Sequence, residues 1–145
     1  MAIMDAILEF SDAQVISCAS ASASISTNEF DMSTMKDAWG TAITNDIGEG
    51  NNGLVANVQI ATVLQADVSI VAKLYSHTAS SAISGSVLGE ATFAAAAAAG
   101  TRKTIRVPAG TVNRWVCMEY SVVGSSSTTG AVDAWLGLDT ETPSD

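Results

Sequence analysis

From Arg102 to Asp139 the chain repeats one pattern, apolar and polar residues in alternation between turn signals. Thr104-Ile105-Arg106-Val107 runs into the turn Pro108-Ala109-Gly110. Arg114 through Val122 follows and ends at Gly124-Ser125-Ser126-Ser127, and Gly130 through Asp139 closes the set. Successive side chains of a strand point to opposite faces, so a period of two reads as strands with one face buried. Strand, turn, strand, turn, strand, with almost no residue suited to chemistry, points to a protein that works through its surface.

The same reading extends upstream. Leu54, Ala56, Val58 and Ile60 alternate with Val55, Asn57, Gln59 and Ala61. Val68, Ile70, Ala72 and Leu74 alternate with Asp67, Ser69, Val71, Lys73 and Tyr75. Ala19, Ala21, Ala23 and Ile25 alternate with Ser20, Ser22, Ser24 and Ser26, which predicts a strand or extended edge segment. Between these lie loops: Asn28 to Asn45 with a helical turn around Met35 to Trp39, the turn-rich Asp46 to Gly53, and His77 to Gly89, a polar loop with a short apolar piece at Val87-Leu88. Ala94 to Ala99 is a run too short to nucleate a helix and reads as a turn or a small-residue strand. Thr140 to Asp145 is a polar tail. One domain over 1–145 is expected, with about 1–50 forming an N-terminal arm and extended segments and about 51–140 the main strands. The fold class is all-β, a β-sandwich of jelly-roll type.

Composition supports thin sheet layers. The chain has 24 alanines, 18 serines and 14 threonines against eight aromatic residues. Six cations in a chain of net charge −9 cannot build the basic stripe that phosphate neutralisation needs, so no nucleic-acid partner is expected. Cys18 and Cys117 give no disulfide framework; they read as two small hydrophobes in a reducing cytoplasm, with a bridge as the alternative. The first cation is Lys36, so the opening residues lack the basic region of a signal peptide. No apolar run reaches membrane-spanning length, and no membrane partner is expected.

Chemistry-bearing groups are scattered. His77 lies in a Ser/Thr/Ala stretch and reads as a plain loop histidine, with no base or orienting group nearby for a triad. One His and two distant Cys make no standard zinc site. Asp46, Glu49, Asn51 and Asn52 lack the spacing of a calcium loop and read as a turn. Glu119 and Asp133 are a remote candidate for a glycosidase carboxylate pair. The expectation is no catalytic residue, no cofactor and no metal. If Val116, Met118 and Tyr120 face the core, Trp115 faces out; if Val132, Ala134 and Leu136 face the core, Trp135 faces out. Outward tryptophans suit an interface. The alternatives are a misread register or cover from the N-terminal segment. Ile3, Met4, Ile7 and Leu8 fall at helical spacing and suit either a frayed end or an arm that orders on a neighbour, followed by Phe10.

In order along the chain, Phe10-Ser11-Asp12-Ala13-Gln14, Asp46-Ile47-Gly48-Glu49-Gly50, Thr104 to Gly110, Arg114-Trp115-Val116 with Tyr120, and Gly130-Ala131-Val132-Asp133-Ala134 form a set. In that order and spacing it resembles the cement (decoration) proteins of tailed bacteriophages, the family typified by the Bordetella phage cement protein. The resemblance covers about Phe10 to Leu138. It implies a self-associated jelly roll, a homodimer or homotrimer, on the outer surface of an icosahedral head. There it would bridge major capsid subunits after synthesis in the host cytoplasm. The candidate contact residues are Ile3, Met4, Ile7, Leu8, Phe10, Trp115 and Trp135. The six-alanine run and the two tryptophans depart from the family pattern. The competing reading is a virion accessory jelly roll that binds host glycans.

Overall fold

The computed structural model describes residues 8–16, 23–34, 39–41, 54–80, 85–110, 112–124 and 130–138. These residues form nine strands and no α-helix. They are β1 (Glu9–Ile16), β2 (Ser24–Ile25), β3 (Phe30–Asp31), β4 (Leu54–Thr62), β5 (Ser69–His77), β6 (Ser86–Phe93), β7 (Arg102–Arg106), β8 (Trp115–Val123) and β9 (Gly130–Leu138). One sheet has the order β1-β9-β4-β7; the other has β2-β8-β5-β6, with β3 also paired to β8. All pairings are antiparallel. The chain crosses between sheets at every connection except β2 to β3 and the β5–β6 hairpin, which is the double Greek key of a jelly roll.

The alternation seen in the sequence sets the core. Ala56, Val58 and Ile60 of β4, Ile70, Ala72 and Leu74 of β5, Val116, Met118 and Tyr120 of β8, and Val132, Ala134 and Leu136 of β9 all point between the sheets. Phe10, Ile16, Phe30, Met32 and Phe93 fill the remaining space. Ala and Val share this core with Ile, Leu, Met and Phe, so small and large side chains fill the space between the layers together.

β2 and β3 are two halves of one broken edge strand. Ile25 pairs with Glu119 and Phe30 with Val116, so four residues stand between them where β8 has two. The interruption is hydrogen-bonded rather than loose. Ser26 N–H donates to Met118 O at 2.8 Å, and Met118 N–H donates back to Ser26 Oγ at 3.0 Å. The seryl oxygen thus replaces a backbone acceptor in the ladder. β1 is bulged as well: its register to β9 shifts on either side of Ser11. Ala13 sits at φ 42°, and its N–H donates to Asp133 Oδ1 at 2.7 Å. A side-chain carboxylate therefore holds the amide that the bulge releases.

The structure corrects several expectations. The sandwich starts at Glu9, not near position 51, because β1 is hydrogen-bonded to β9 within the first sheet. Residues 86–89, read as the end of a polar loop, belong to the edge strand β6 (Ser86–Phe93); alternation is blurred there by small residues and by a register shift between Leu74 and Tyr75 of the partner. His77 ends β5 instead of lying in a loop. Of the Ser17–Ser26 alternation, only Ser24 and Ile25 form a strand among the described residues; 17–22 lie outside them. The alanine run follows the turn of its two expected readings, with Ala96 at φ 59° and Ala97 O accepting from Leu64 N–H at 3.0 Å. The arm residues before Leu8, the cysteine at 18 and the candidate calcium loop at 46–53 lie outside the described residues.

Candidate docking surface

Both tryptophans face outward and are half-buried, as alternation predicts, but on opposite faces of the sandwich. Trp115 opens β8, opposite His77 of β5 and Asp31 of β3. The Arg114 guanidinium lies 5.2 Å from its ring centre. That guanidinium is held in place by a fork onto Asp31, Nε to Oδ1 at 2.8 Å and Nη2 to Oδ2 at 2.7 Å. Arg114, with Ser33 behind it, holds the Asp31 carboxyl well below the usual carboxylate range, and Asp31 in turn raises Arg114. The fork ties the broken edge strand to β8.

Trp135 belongs to the other sheet. It pairs with Glu9 of β1 and with Asn57 of β4. Arg102 of β7 reaches across β4 to within 5.8 Å of its ring centre. Gly137 leaves room: a Cβ there would sit 3.5 Å from the indole edge and 3.4 Å from the Asn57 amide. Asn57 is buried beside this ring, and among the described residues its Oδ1 has no hydrogen-bond partner. The two tryptophans therefore cannot share one isologous contact, which uses the same patch on both subunits.

Phe10, a candidate contact residue, is a core residue. It is fully buried, with its ring 4.4 Å from that of Phe30. The bulges of β1 put Phe10 and Ser11 both out of water, which a strict period of two does not foresee. Leu8 packs against the core and is partly buried. Ile3, Met4 and Ile7 lie outside the described residues. Sequence reasoning passed over Trp39, which is 89% exposed. It also passed over Val15, Val63, Val87 and Val123, the other exposed large hydrophobic residues among those described. Only their neighbourhood in strand ends and turns hinted at this.

The chemistry-bearing groups are dispersed or already engaged. His77 is buried at the end of β5; its Nε2 meets Cys117 Sγ at 3.1 Å and its ring stacks on Tyr75 at 5.6 Å. Burial pushes the Cys117 thiol up to about 12, with Glu29 and Glu119 adding to the effect, so the thiolate nucleophile is suppressed. Glu119 lies on the outward side of β8 and Asp133 on β9, in different sheets, so they do not form a carboxylate pair. Among the described residues no three His, Cys, Asp or Glu side chains are grouped to hold a metal ion.

What remains exposed and concentrated is one edge. Arg102, Lys103 and Arg106 are three of the chain's six cations, and all are exposed on the five residues of β7. β7 ends its sheet.

The Bbp16 family model matches residues 10–136. No curated protein matches the chain. The matched span runs from the first residue turned into the core to the last core position of β9, and so takes in the whole sandwich. The chain belongs to the Bbp16 family and is a bacteriophage structural protein.

Proposed function

We propose that this protein is a cement, or decoration, protein. In this reading it binds the outer surface of the phage head, bridges neighbouring major capsid subunits and stabilises the shell without catalysing a reaction. The observation that carries the reading is the family match over the entire jelly roll. The site chemistry is consistent with it. His77 is spent on Cys117, Asp133 on the β1 bulge and Asp31 on Arg114, each holding strands together. A ligand that binds the assembled shell and not its released subunits stabilises the shell by mass action, and many copies multiply the effect. Sparse charge and exposed valines favour attachment through apolar and backbone contacts, which moderate salt weakens little.

Self-association belongs to the same proposal, through the Trp135 face or the Trp115 face. Replacing the tryptophan at such a contact by Ala should cost about 2 kcal/mol of association. Sedimentation of Trp115→Ala and Trp135→Ala at low concentration reads this out. The function itself is tested by mixing purified protein with heads that lack it. Saturable binding with a fixed stoichiometry per capsid subunit is expected. No binding removes the proposal and promotes the glycan-binding reading.

A further inference from the structure

We propose that β7 is a docking edge that accepts one more strand, an acidic extended segment of the shell protein with two carboxylates four residues apart. This rests on the decoration reading and names the partner's chemistry.

Both flanks of the sandwich are joined across the sheets. On one, Asn28 N–H donates to Phe10 O at 2.9 Å, and Gln14 Nε2 donates to Ile25 O at 2.7 Å. On the other, Lys103 Nζ of β7 donates to Thr92 O of β6, and Gly89 of β6 packs on Ile105. Of the four strands that end their sheets, β7 is the one that carries a row of cations, and among the described residues no strand lies beyond it. The backbone phase of β7 is fixed. Ile60 N–H donates to Thr101 O at 2.9 Å, so alternation makes Val58–Lys103 and Ala56–Ile105 the hydrogen-bonded pairs of the β4–β7 ladder. The N–H and C=O of Thr104, opposite Asn57, then point away from β4 toward the open edge. An added strand would find a donor and an acceptor there.

The side chains specify what kind of strand. In a chain of net charge −9, three of six cations stand on this strand. Arg102 and Arg106 share the outward face with Thr104 between them, about 13 Å apart along the strand. Arg102 lies against Trp135, and Lys103 Nζ donates to Thr92 O at 2.6 Å while lying 5.8 Å from the Phe93 ring centre. An antiparallel strand with acids at i and i+4 places one carboxylate opposite each arginine. A second copy of β7 is the wrong occupant, because pairing about Thr104 sets Arg102 against Arg106. Cations also guard edge strands against self-pairing. Guarding alone, however, requires no preference for a carboxylate pair of this spacing.

The test titrates the full chain, followed by amide NMR, with the peptide acetyl-Thr-Glu-Val-Thr-Val-Glu-Thr-amide and with its twin carrying Gln for both Glu. Expected are shifts concentrated on residues 102–106. The Gln twin should bind about fivefold more weakly, as the loss of two exposed ion pairs dictates. Shifts should vanish in Thr104→Pro, which removes the outward donor and leaves the β4 ladder, and weaken in Arg102→Gln/Arg106→Gln, which keeps the backbone intact. Absent or scattered shifts at millimolar peptide, or equal binding of the twin, overturn the proposal and leave the cations as guards. The peptide titration needs no capsid. Heads that bind Arg102→Glu/Arg106→Glu as they bind the parent refute the edge alone; heads that bind neither refute the decoration reading.

Discussion

The Tyr120 and Ser11 hydroxyl oxygens meet at 2.8 Å, 109 residues apart, across the gap between the two sheets. Ser11 Oγ donates onward to Gln14 Oε1 at 2.7 Å, so the Tyr120 hydroxyl is the donor to Ser11. Gln14 Oε1 also accepts from Thr27 N–H at 3.0 Å. A polar chain, buried at Tyr120 and Ser11 and reaching the surface at Thr27, thus ties β8, β1 and the segment after β2 together. Burial also pushes the Tyr120 phenol well above its ordinary range, so it stays a donor throughout the physiological range.

Deleting the two ends of this contact should have unequal effects. Tyr120→Phe removes the donor and leaves Ser11 bonded to Gln14, a loss of about 1 kcal/mol. Ser11→Ala strands a buried phenol hydroxyl and should cost about 2 kcal/mol. The double variant should be less destabilised than the sum. Chemical denaturation of the four proteins in the cycle measures this; strict additivity would mean the contact is not made.

Asp31 should titrate far below an ordinary carboxylate. Its folded value lies under the unfolded value of about 3.9, so its contribution is complete above that pH. The contribution is lost only as pH falls through the folded value. Carboxyl-carbon NMR should show Asp31 still ionised at pH 3, and Arg114→Ala should return it toward the ordinary range.

Cys117 should be inert while the protein is folded. The thiol is 1% exposed and shifted from an ordinary 9.0 to about 12. In a Cys18→Ser background, an aromatic disulfide reagent at pH 8 should label the chain only after denaturant is added. The raised value also means that the thiol's contribution to stability is complete below pH 9.0 and declines as pH rises toward about 12.

Gly85 is required by close approach. A Cβ there would sit 2.4 Å from Ser76 O and 2.5 Å from His77 Nδ1. Gly85→Ala should cost about 2 kcal/mol or more, since backbone must move. Gly100→Ala, at φ 85° in open space, should cost about 1 kcal/mol from the backbone conformation alone. Thermal unfolding of both variants checks the order.

The core faces of β4, β5, β8 and β9 were legible because each run is flanked by turn residues and its core-facing positions are apolar at every second residue, from Ala56 to Ile60, Ile70 to Leu74, Val116 to Tyr120 and Val132 to Leu136. β1 was not, because its bulges at Ser11 and Ala13 put two adjacent residues inside and made Phe10 look like part of an arm. β6 was not, because an edge strand of small residues buries little and carries weak alternation. The outward direction of Trp115 and Trp135 could be read from their own strands. Their placement on opposite faces could not, because it depends on sheet order, and β8 and β9 share the same local pattern. The cationic edge escaped notice for the same reason: Arg102, Lys103 and Arg106 are ordinary in sequence and become a feature only once β7 is known to end its sheet.

The most direct measurement of the central claim compares purified heads with and without this protein under a heating ramp, following DNA release. The account predicts that decorated heads hold their DNA to a higher temperature and that adding purified protein to bare heads restores the difference. Equal release temperatures for decorated and bare heads would contradict it.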